Sequence, residues 1–308
     1  MEILIIGAGA IGGLFAALLA PRAAVTLLTT NPDHAAAIDR QGLTVLGLDG
    51  AMQRRQMAIL TDPNQYQRRA DLVLVCTKAR ATGQAARAAL PLLAEEGLVL
   101  TLQNGLGNLE QIASVVGAGR AAAGITAQAA TLVAPGQVRH AGSGPTVLAG
   151  APGQAARLAA IAALFNRAGI DTRVVGDVDG LLWSKLIVNV GINALTALLR
   201  VPNGILAQVP ECGLLMDQAV DEALAVARAL DIELEYDRQR QRVRQVCGLT
   251  AANQSSMLQD ILRGAPTEID VINGAIVTRG LAAGIPTPVN LLLTQAIKAL
   301  EATAAYRL

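Results

Sequence analysis

The sequence predicts an α/β protein with a parallel sheet in its N-terminal part and an all-helical C-terminal part. Short apolar runs rich in β-branched residues alternate with alanine-rich segments up to about residue 150, which is typical of strands joined by crossover helices. Strand-like runs stop near residue 175, and long helical patterns follow. The length of 308 residues exceeds one typical domain. We therefore expect two domains, residues 1–175 and residues 176–308.

Four apolar runs are the predicted parallel strands, at residues 2–7, 24–30, 71–77 and 97–104. Segments 12–20 and 82–93 have helical composition and lie where crossover helices belong. Shorter β-like pieces between residues 121 and 150, separated by glycine and proline turns, predict late, partly antiparallel strands. A helix over about residues 154–168 is expected to close the first domain.

The first predicted strand runs into a glycine-rich motif, Gly7-Ala8-Gly9-Ala10-Ile11-Gly12, that precedes a predicted helix. In such a motif the first glycine permits a tight turn, the second lets the backbone approach a pyrophosphate, and the third allows close contact between helix and strand. The helix N-terminus then faces the phosphate charge. A glycine turn without a ligand is the alternative, but the strand and helix context favours a Rossmann-type dinucleotide-binding domain.

The end of the second strand bears on the choice of dinucleotide. An acidic residue there would bind the ribose 2′-hydroxyl of NAD, whereas this strand ends in Thr29, Thr30 and Asn31. Small hydroxyl and amide groups tolerate a 2′-phosphate better than a carboxylate does, so we expect NADP(H) as the cofactor. Lys78 follows the third strand at the ligand-binding edge and is either a cofactor contact or a solvated loop lysine.

Asn104 follows the fourth strand and precedes two glycines, in the segment "QNGLGN". An ordinary Asn-Gly turn explains this pattern. Glycines at the ligand-binding edge would also let the backbone come near a nicotinamide ring, and we favour this second interpretation.

The segment from residue 181 to 204 reads as a buried helix that carries Lys185, Asn189 and Asn193 among apolar residues. Because a helix advances about 100° per residue, these three positions drift only about 80° around the axis and share one face. A solvated face is the alternative, but the other positions are apolar nearly all round. The pattern favours a face that lines a ligand-binding cleft between the two domains.

Two further candidates lie near the C-terminus. Ser255 and Ser256 form a predicted helix cap whose hydroxyls and amides suit a carboxylate, although capping alone explains them. Glu268 is expected in the first turn of another helix, where the helix dipole favours an acid whatever its function.

The amino-acid composition limits the kinds of molecule that this protein is expected to bind. Basic and acidic residues number 25 and 24, and aromatic residues make up 2% of the chain. No basic stripe or stacking platform for nucleic acid is present, and Lys185 with its two asparagines interrupts the best candidate for a membrane span. We expect a small-molecule substrate, no nucleic acid and no membrane.

Cysteine and histidine usage predicts neither disulfides nor a metal site. The three cysteines are far apart with apolar neighbours, and the two histidines are isolated, at Cys76, Cys212, Cys247, His34 and His140. A cytoplasmic location fits best. Exposed alanine and leucine faces in the last helices would suit a homodimer.

The motifs together resemble the ketopantoate reductases (2-dehydropantoate 2-reductases) over nearly the whole chain. The shared segments, in order, are "GAGAIGG", the lysine after "VLVCT", "QNGLGN", "GQVRHAGSG", "WSKLIVNVGINALTA", "PNG", "SSMLQDI" and "TEIDVING". The resemblance implies NADPH-dependent reduction of 2-dehydropantoate to pantoate, a step towards pantothenate and coenzyme A.

The resemblance also implies roles for individual residues. It makes Lys185 the catalytic lysine and proton donor, and it assigns substrate binding to Asn104, Lys185, Asn189, Asn193, Asn203, Asn253, Ser255 and Ser256. Cofactor contacts are implied for the glycine-rich motif and for Thr30, Lys78, Asn104, Ala130 and Glu268. Thr30 departs from the family, since many members have an arginine there for the 2′-phosphate.

Two alternatives remain open on the sequence. One is an NAD(P)-dependent reductase of another small 2-oxo acid, because fold does not fix substrate. The other is a non-enzymatic regulator that senses a dinucleotide.

Overall fold

A computed structural model describes residues 1–306, which divide into two compact units. The first unit comprises Met1–Gln103 and Gly107–Val178. The second comprises Asn104–Leu106 and the chain from Asp179 onward. The three residues of the short segment therefore belong to the helical unit, although the chain on both sides of them belongs to the other.

The first unit contains twelve strands and five longer helices. The strands are β1 Glu2–Ile6, β2 Ala24–Leu28, β3 Leu43–Leu46, β4 Met52–Arg55, β5 Ala58–Leu60, β6 Ala70–Val75, β7 Leu93–Thr101, β8 Ala121–Thr126, β9 Ala129–Ala134, β10 Gln137–Gly142, β11 Thr146–Gly150 and β12 Thr172–Val175. The helices are α1 Ala10–Leu19, α2 Pro32–Gln41, α3 Thr82–Ala89, α4 Asn108–Val116 and α5 Ala155–Arg167.

Eight strands form the main sheet in the order β12-β11-β8-β7-β6-β1-β2-β5. Every neighbouring pair is parallel except β8 and β11, so the predicted α/β class and the partly antiparallel late strands are confirmed. Strand β1 lies between β2 and β6, and the chain continues to one side of it and later to the other. This reversal is the topological switch point at which α/β sheets bind ligands.

A second sheet of four strands, in the order β4-β3-β10-β9, was not predicted. Strands β9 and β10 pair with each other in an antiparallel hairpin and leave the main sheet, while β3 joins β10 in parallel. The sequence of β4, "MQRR", is polar and largely exposed, and it lacks the alternation that reveals a half-buried strand.

The core of the first unit lies on both faces of the main sheet. The central strands are buried almost throughout, as expected of parallel strands covered on both sides. On one face the rings of Phe15 in α1 and Phe165 in α5 meet edge to face, with centroids 5.7 Å apart. Helix α1, which begins within the glycine-rich motif, is thus packed against α5.

The regular secondary structure of the second unit is helical throughout the described residues. Its helices are α6 Val178–Leu199, α7 Ile205–Gln208, α8 Pro210–Ala229, α9 Gln239–Leu249, α10 Ser256–Leu262, α11 Asn273–Ala283 and α12 Pro288–Ala302. Helix α6 is long and apolar enough to cross a membrane by length and composition, but 72% of its most apolar window is buried within the protein. Most of its residues are buried.

Two features fix α6 among its neighbours. At Gly191 an added Cβ would lie 2.9 Å from Val243 of α9 and 3.0 Å from Val220 of α8, so a glycine is required for this close approach. In addition, the amide of Asn273 donates to the carbonyl of Val190 at 3.3 Å and to Asn290 at 2.9 Å.

The hydrogen bond between Asn273 and Asn290 is extended by further hydrogen bonds from Asn290 to a carboxylate. Glu222 of α8 accepts hydrogen bonds from the backbone N–H groups of Val289 and Asn290 and from the Asn290 side chain, at 2.8, 2.9 and 2.7 Å. The acid thereby satisfies donors at the N-terminus of α12 that have no partner within the helix. A polar chain thus links α8, α12, α11 and α6 in a fixed arrangement.

Candidate active site

The candidate site in the second unit is built on one face of α6. Asn189 and Asn193 are buried, with 9% and 5% exposure, and Lys185 is half-buried one turn before them. The spacing predicted from the sequence therefore lies within one continuous helix, Val178–Leu199. Little of this polar face reaches solvent, which favours ligand binding over simple solvation.

The protonation of Lys185 is shifted by its surroundings. Burial lowers the pKa of the Lys185 ammonium because the charged form loses its hydration, and the positive charge of Arg242 on α9 lowers the pKa further. A lysine with a lowered pKa gives up its proton more readily at neutral pH than a solvated lysine does. The side chain is thus suited to act as an acid.

Two of the predicted substrate-binding residues in this unit have a buried polar atom with no hydrogen-bond partner among the described residues. These atoms are the side-chain nitrogen of Asn189 and the side-chain oxygen of Asn203. Leaving such a group without a partner costs about 1–3 kcal/mol, so a ligand that supplies the partner would be stabilised at either atom. One is a donor and the other an acceptor, which matches the two roles of a hydroxyl group.

Asn203 is held in place by the segment before α10. Its backbone N–H donates to the carbonyl of Asn253 at 3.0 Å, and its side-chain nitrogen donates to the hydroxyl of Thr250 at 2.9 Å. The N–H of Gly204 donates to Ala251 at 3.1 Å. These bonds occupy the nitrogen of Asn203 and leave its oxygen for a ligand.

The two serines differ in their surroundings. Ser255 is the N-cap of α10, since its hydroxyl accepts from the N–H of Leu258 at 3.1 Å and lies 2.7 Å from the hydroxyl of Thr196. Its oxygen is therefore engaged within the protein. Ser256 and Asn253 are exposed and present their side chains to solvent.

Glu268 does not lie in the first turn of a helix, so that prediction is wrong. It precedes a short 3-10 turn, Ile269–Val271, and α11 begins only at Asn273. The bond from the N–H of Ile269 to the Thr267 hydroxyl, at 3.3 Å, is of the local kind that competes with a helical start. Glu268 is half-buried in this turn.

The segment Asn104–Leu106 packs on the same 3-10 turn. The N–H of Leu106 donates to the carbonyl of Val271 at 3.0 Å. Gly105 has a φ of +86°, and a Cβ there would lie 2.5 Å from that carbonyl oxygen. The structure therefore brings Asn104 into the unit that contains Glu268, Lys185 and the other asparagines.

In the first unit, the glycine-rich motif has the geometry that a dinucleotide requires. Gly7 has a φ of +102°, and a Cβ at Gly12 would lie 1.9 Å from the carbonyl oxygen of Gly7. Gly9 differs, since a Cβ there would meet nothing within 4 Å, and no side chain caps the N-terminus of α1. The space at Gly9 and the N–H groups of the first turn of α1, which have no partner within the helix, fit a pyrophosphate group. Ala8, Ala10 and Ile11 complete this turn into α1.

Lys78 follows β6 beside a polar network that sequence reasoning missed. The side-chain nitrogen of Gln103 donates to the carbonyl of Thr77 and to the hydroxyl of Thr82, both at 2.9 Å. Thr82 in turn donates to Asn108 at 2.8 Å. The loops after β6 and β7 are thereby tied together, which orients the half-buried Lys78. The glutamine directly before Asn104 was the available signal.

The end of β2 places Thr30 in solvent. Its neighbours are occupied locally, because the Thr29 hydroxyl accepts from the N–H of Asn31 at 3.2 Å and the Asn31 side chain caps α2 at the N–H of His34, at 3.0 Å. Only the side chain at position 30 is thus fully available to a group bound at this edge.

Ala130 lies on β9 in the second sheet, paired with His140 of β10. The imidazole of His140 is 2.8 Å from the side-chain oxygen of Gln128, and burial lowers the pKa of His140. Helix α1 approaches this sheet, as a Cβ at Gly13 would lie 3.0 Å from Val138 of β10. Ala130 is therefore in the same unit as the glycine-rich motif.

Two family models match this chain, one in each of the two units. Residues 3–153 match the model described as "Ketopantoate reductase PanE/ApbA", and residues 177–301 match "Ketopantoate reductase PanE/ApbA C terminal". Among curated relatives, a 2-dehydropantoate 2-reductase of Halobacterium salinarum is 39% identical over 97% of this chain and 98% of its own. One of Pyrococcus abyssi is 35% identical over 98% of both chains.

Solved structures show the same fold. A PanE/ApbA family ketopantoate reductase from Ralstonia eutropha JMP134 superposes with a TM-score of 0.90 at 35% identity, covering 99% of this chain and 100% of the other. A D-mandelate dehydrogenase in a ternary structure with NADH and anilino(oxo)acetate has a TM-score of 0.94 at 27% identity, again covering 99% and 100%.

Replacement of Gly9 by alanine tests the glycine-rich motif as a dinucleotide site. Because the new methyl group meets no protein atom within 4 Å, we expect an unchanged Tm and a dissociation constant for NADPH that rises by about tenfold or more through contact with the pyrophosphate. Fluorescence titration with NADPH measures this change. Gly119→Ala, which also adds a methyl group in open space, is the control, and equal affinity in both variants would contradict the assignment.

Proposed function

This chain belongs to the ketopantoate reductase family, and we propose that it reduces 2-dehydropantoate to pantoate with NADPH, a step towards pantothenate and coenzyme A. The observation that carries the proposal is the polar face of α6. There a lysine with a lowered pKa shares one unit with two buried amide atoms that lack partners. An acid beside groups that match a hydroxyl suits a 2-oxo acid with a hydroxylated tail.

We assign the cofactor to residues of the first unit, to the Asn104 segment and to Glu268. The backbone of the glycine-rich motif would hold the pyrophosphate, Thr30 and Lys78 would contact the adenosine side, and Ala130, Asn104 and Glu268 would contact the remainder. When bound, the dinucleotide supplies the reducing equivalent for the carbonyl at C2. The residues fit this group, because Gly9 leaves both space and backbone donors.

Lys185 acts as the proton donor in this proposal. Negative charge develops on the carbonyl oxygen during reduction, and a positioned ammonium neutralises it by transferring a proton. The lowered pKa of Lys185 favours this transfer at neutral pH. Its anchorage on a fixed helix keeps the ammonium in place for the reaction.

The asparagines recognise the substrate tail. Asn189 donates through its unpaired nitrogen and Asn203 accepts through its unpaired oxygen, so a substrate hydroxyl completes both. Asn193 lies one turn further along the same face. We assign the remaining polar contacts to Asn253 and Ser256, and Ser255 supports them through its cap on α10.

Reduction of a different 2-oxo acid is the second candidate. The observation that favours it is the similarity to a D-mandelate dehydrogenase solved with NADH and anilino(oxo)acetate. A panel of 2-oxo acids with and without a hydroxyl on the tail separates the two candidates. We expect the hydroxylated acid to have the higher kcat/KM, because loss of the hydroxyl leaves Asn189 and Asn203 unpaired.

Lys185→Ala should lower kcat for 2-dehydropantoate by about 100-fold to 10,000-fold, since the developing negative charge loses its proton donor. The dissociation constant for NADPH should stay unchanged. Stopped-flow or steady-state assays at 340 nm, together with NADPH titration, measure both quantities. The control is Lys298→Ala, an exposed lysine paired with Asp270. Near-normal turnover of Lys185→Ala would remove this mechanism.

The pH profile of kcat/KM should report Lys185. Reduction needs the protonated amine, so activity is present below the pKa of Lys185 and is lost as the pH rises through it. Because burial lowers that pKa, the alkaline limb should lie below about 10.4, the usual value for lysine. In Lys185→Arg the limb should disappear from the accessible range, whatever residual activity remains. A profile with an alkaline limb unaffected by this substitution would assign the limb to another group.

The wild-type protein should favour NADPH over NADH in kcat/KM, because no acidic residue ends β2. Thr30→Arg should raise this preference about tenfold by adding a guanidinium for the 2′-phosphate, and Thr30→Asp should lower it. Steady-state kinetics with both coenzymes at saturating substrate give the ratios. A wild-type preference for NADH would overturn the interpretation of residues 29–31.

A further inference from the structure

Thr250 ends helix α9 and holds the side chain of Asn203. It is the C-cap of the helix, and its hydroxyl donates to the carbonyl of Val246, one turn earlier, at 2.7 Å. The N–H of Thr250 donates to the same carbonyl at 2.9 Å. The side-chain nitrogen of Asn203 donates to the hydroxyl oxygen at 2.9 Å. The hydroxyl of Thr250 is therefore both a donor and an acceptor within the protein.

The single hydrogen of this hydroxyl decides which end of the amide faces it. In Thr250 that hydrogen is used in the bond to Val246, so the hydroxyl oxygen accepts from whatever group Asn203 presents. The nitrogen of an amide carries two hydrogens, whereas its oxygen carries none. The nitrogen of Asn203 therefore faces Thr250, and its oxygen is turned the other way.

Backbone hydrogen bonds hold Asn203 against the segment that contains Thr250. The N–H of Asn203 donates to the carbonyl of Asn253 at 3.0 Å, and the N–H of Gly204 donates to the carbonyl of Ala251 at 3.1 Å. A Cβ at Gly204 would lie 2.7 Å from the Cβ of Ala251, so a glycine allows this close approach. With the backbone fixed in this way, the hydrogen bond to Thr250 sets the orientation of the amide.

The orientation of the amide determines what Asn203 offers to a ligand. Asn203 is 7% exposed, and its side-chain oxygen has no partner among the described residues. That oxygen accepts a hydrogen bond from a hydroxyl but not from an ether or a fluorine atom, which have no hydrogen to donate. A reversed amide would present two hydrogens instead and would bind an acceptor. The bond to Thr250 therefore makes Asn203 an acceptor.

We propose that Thr250 is a positioning residue that sets the orientation of the Asn203 amide and thereby selects substrates with a hydroxyl donor on the tail. This inference rests on the proposed function, which assigns Asn203 to the substrate, and extends it to a residue that acts through Asn203. The nitrogen of Asn189 complements this arrangement, because one hydroxyl accepts from Asn189 while it donates to Asn203.

The test replaces Thr250 and uses a threonine in the same local setting as the control. Thr250→Val removes the hydroxyl, and the carbonyl of Val246 keeps its bond from the N–H of residue 250. Thr250→Ser is the conservative variant. Thr303 is the C-cap of α12, and its hydroxyl and N–H donate to the carbonyl of Ala299 at 2.8 and 3.0 Å. Within residues 1–306 no side-chain amide donates to Thr303, so Thr303→Val is the matched control.

Steady-state kinetics with NADPH are measured for 2-dehydropantoate and for 3,3-dimethyl-2-oxobutanoate, which lacks only the hydroxyl oxygen. The wild type should favour the hydroxylated acid. In Thr250→Val the ratio of the two kcat/KM values should fall about tenfold or more, because the amide is free to turn and the hydroxyl loses its acceptor. The loss should lie mainly in KM, since the proton donor Lys185 is unchanged. Thr250→Ser and Thr303→Val should keep the wild-type ratio.

A third acid separates hydrogen-bond donation from size. In 4-fluoro-3,3-dimethyl-2-oxobutanoate a fluorine atom replaces the hydroxyl and has no hydrogen to donate. The wild type should therefore reduce it as poorly as the acid without a hydroxyl, and Thr250→Val should discriminate less against it. Thermal unfolding verifies that each variant is folded, and Thr250→Ala carries the same expectation if Thr250→Val is not.

Other results would overturn the inference. An unchanged ratio in a folded Thr250→Val would show that Asn203 is oriented without Thr250. An equal loss on both acids, or the same change in Thr303→Val, would assign the threonine hydroxyl a structural role at the helix end. A wild type that reduces the acids with and without the hydroxyl equally well, or none of them, would overturn the assignment of 2-dehydropantoate together with this inference.

Discussion

The burial of one ammonium group on α6 is the constraint on which the helical unit depends. Moving a lysine out of water disfavours its charged form, so the pKa of Lys185 falls. A helix that could shift would relieve this cost by turning the side chain to solvent. The close contact at Gly191 and the polar chain from Glu222 through Asn290 to Asn273 prevent such a shift. Packing in the unit therefore maintains the chemistry of a single side chain.

Much of this architecture could be predicted from the sequence, and the reasons are local. The turn after β1 is predictable from the glycine-rich motif, because only glycine fits at Gly7 and Gly12. The polar face with Lys185 follows from helical spacing alone. The second sheet was missed because β4 is polar and exposed. The place of Arg242 could not be predicted, since it depends on how α9 packs across α6. The misplaced start of the helix at Glu268 reflects local hydrogen bonds that compete with helix formation.

The unpaired atoms of Asn189 and Asn203 connect stability with selectivity. Each buried polar atom without a partner lowers the free energy of unfolding, and evolution toward stability alone would replace it with an apolar group. Their presence in the same unit as Lys185 is understandable if a ligand satisfies them. A site of this kind rejects analogues that lack the matching group more strongly than an apolar pocket rejects an extra methylene. The cost in stability and the gain in discrimination have the same physical origin.

The segment Asn104–Leu106 has a consequence for how the chain is made. Its buried leucine depends on the carbonyl of Val271, which leaves the ribosome long after the segment itself. During translation the N-terminal half can complete its sheet, yet this short stretch must wait for the C-terminal half before it acquires its native contacts. Cutting the gene between the two halves would therefore not yield two self-sufficient products. The reading frame that encodes the first unit also carries a piece of the second.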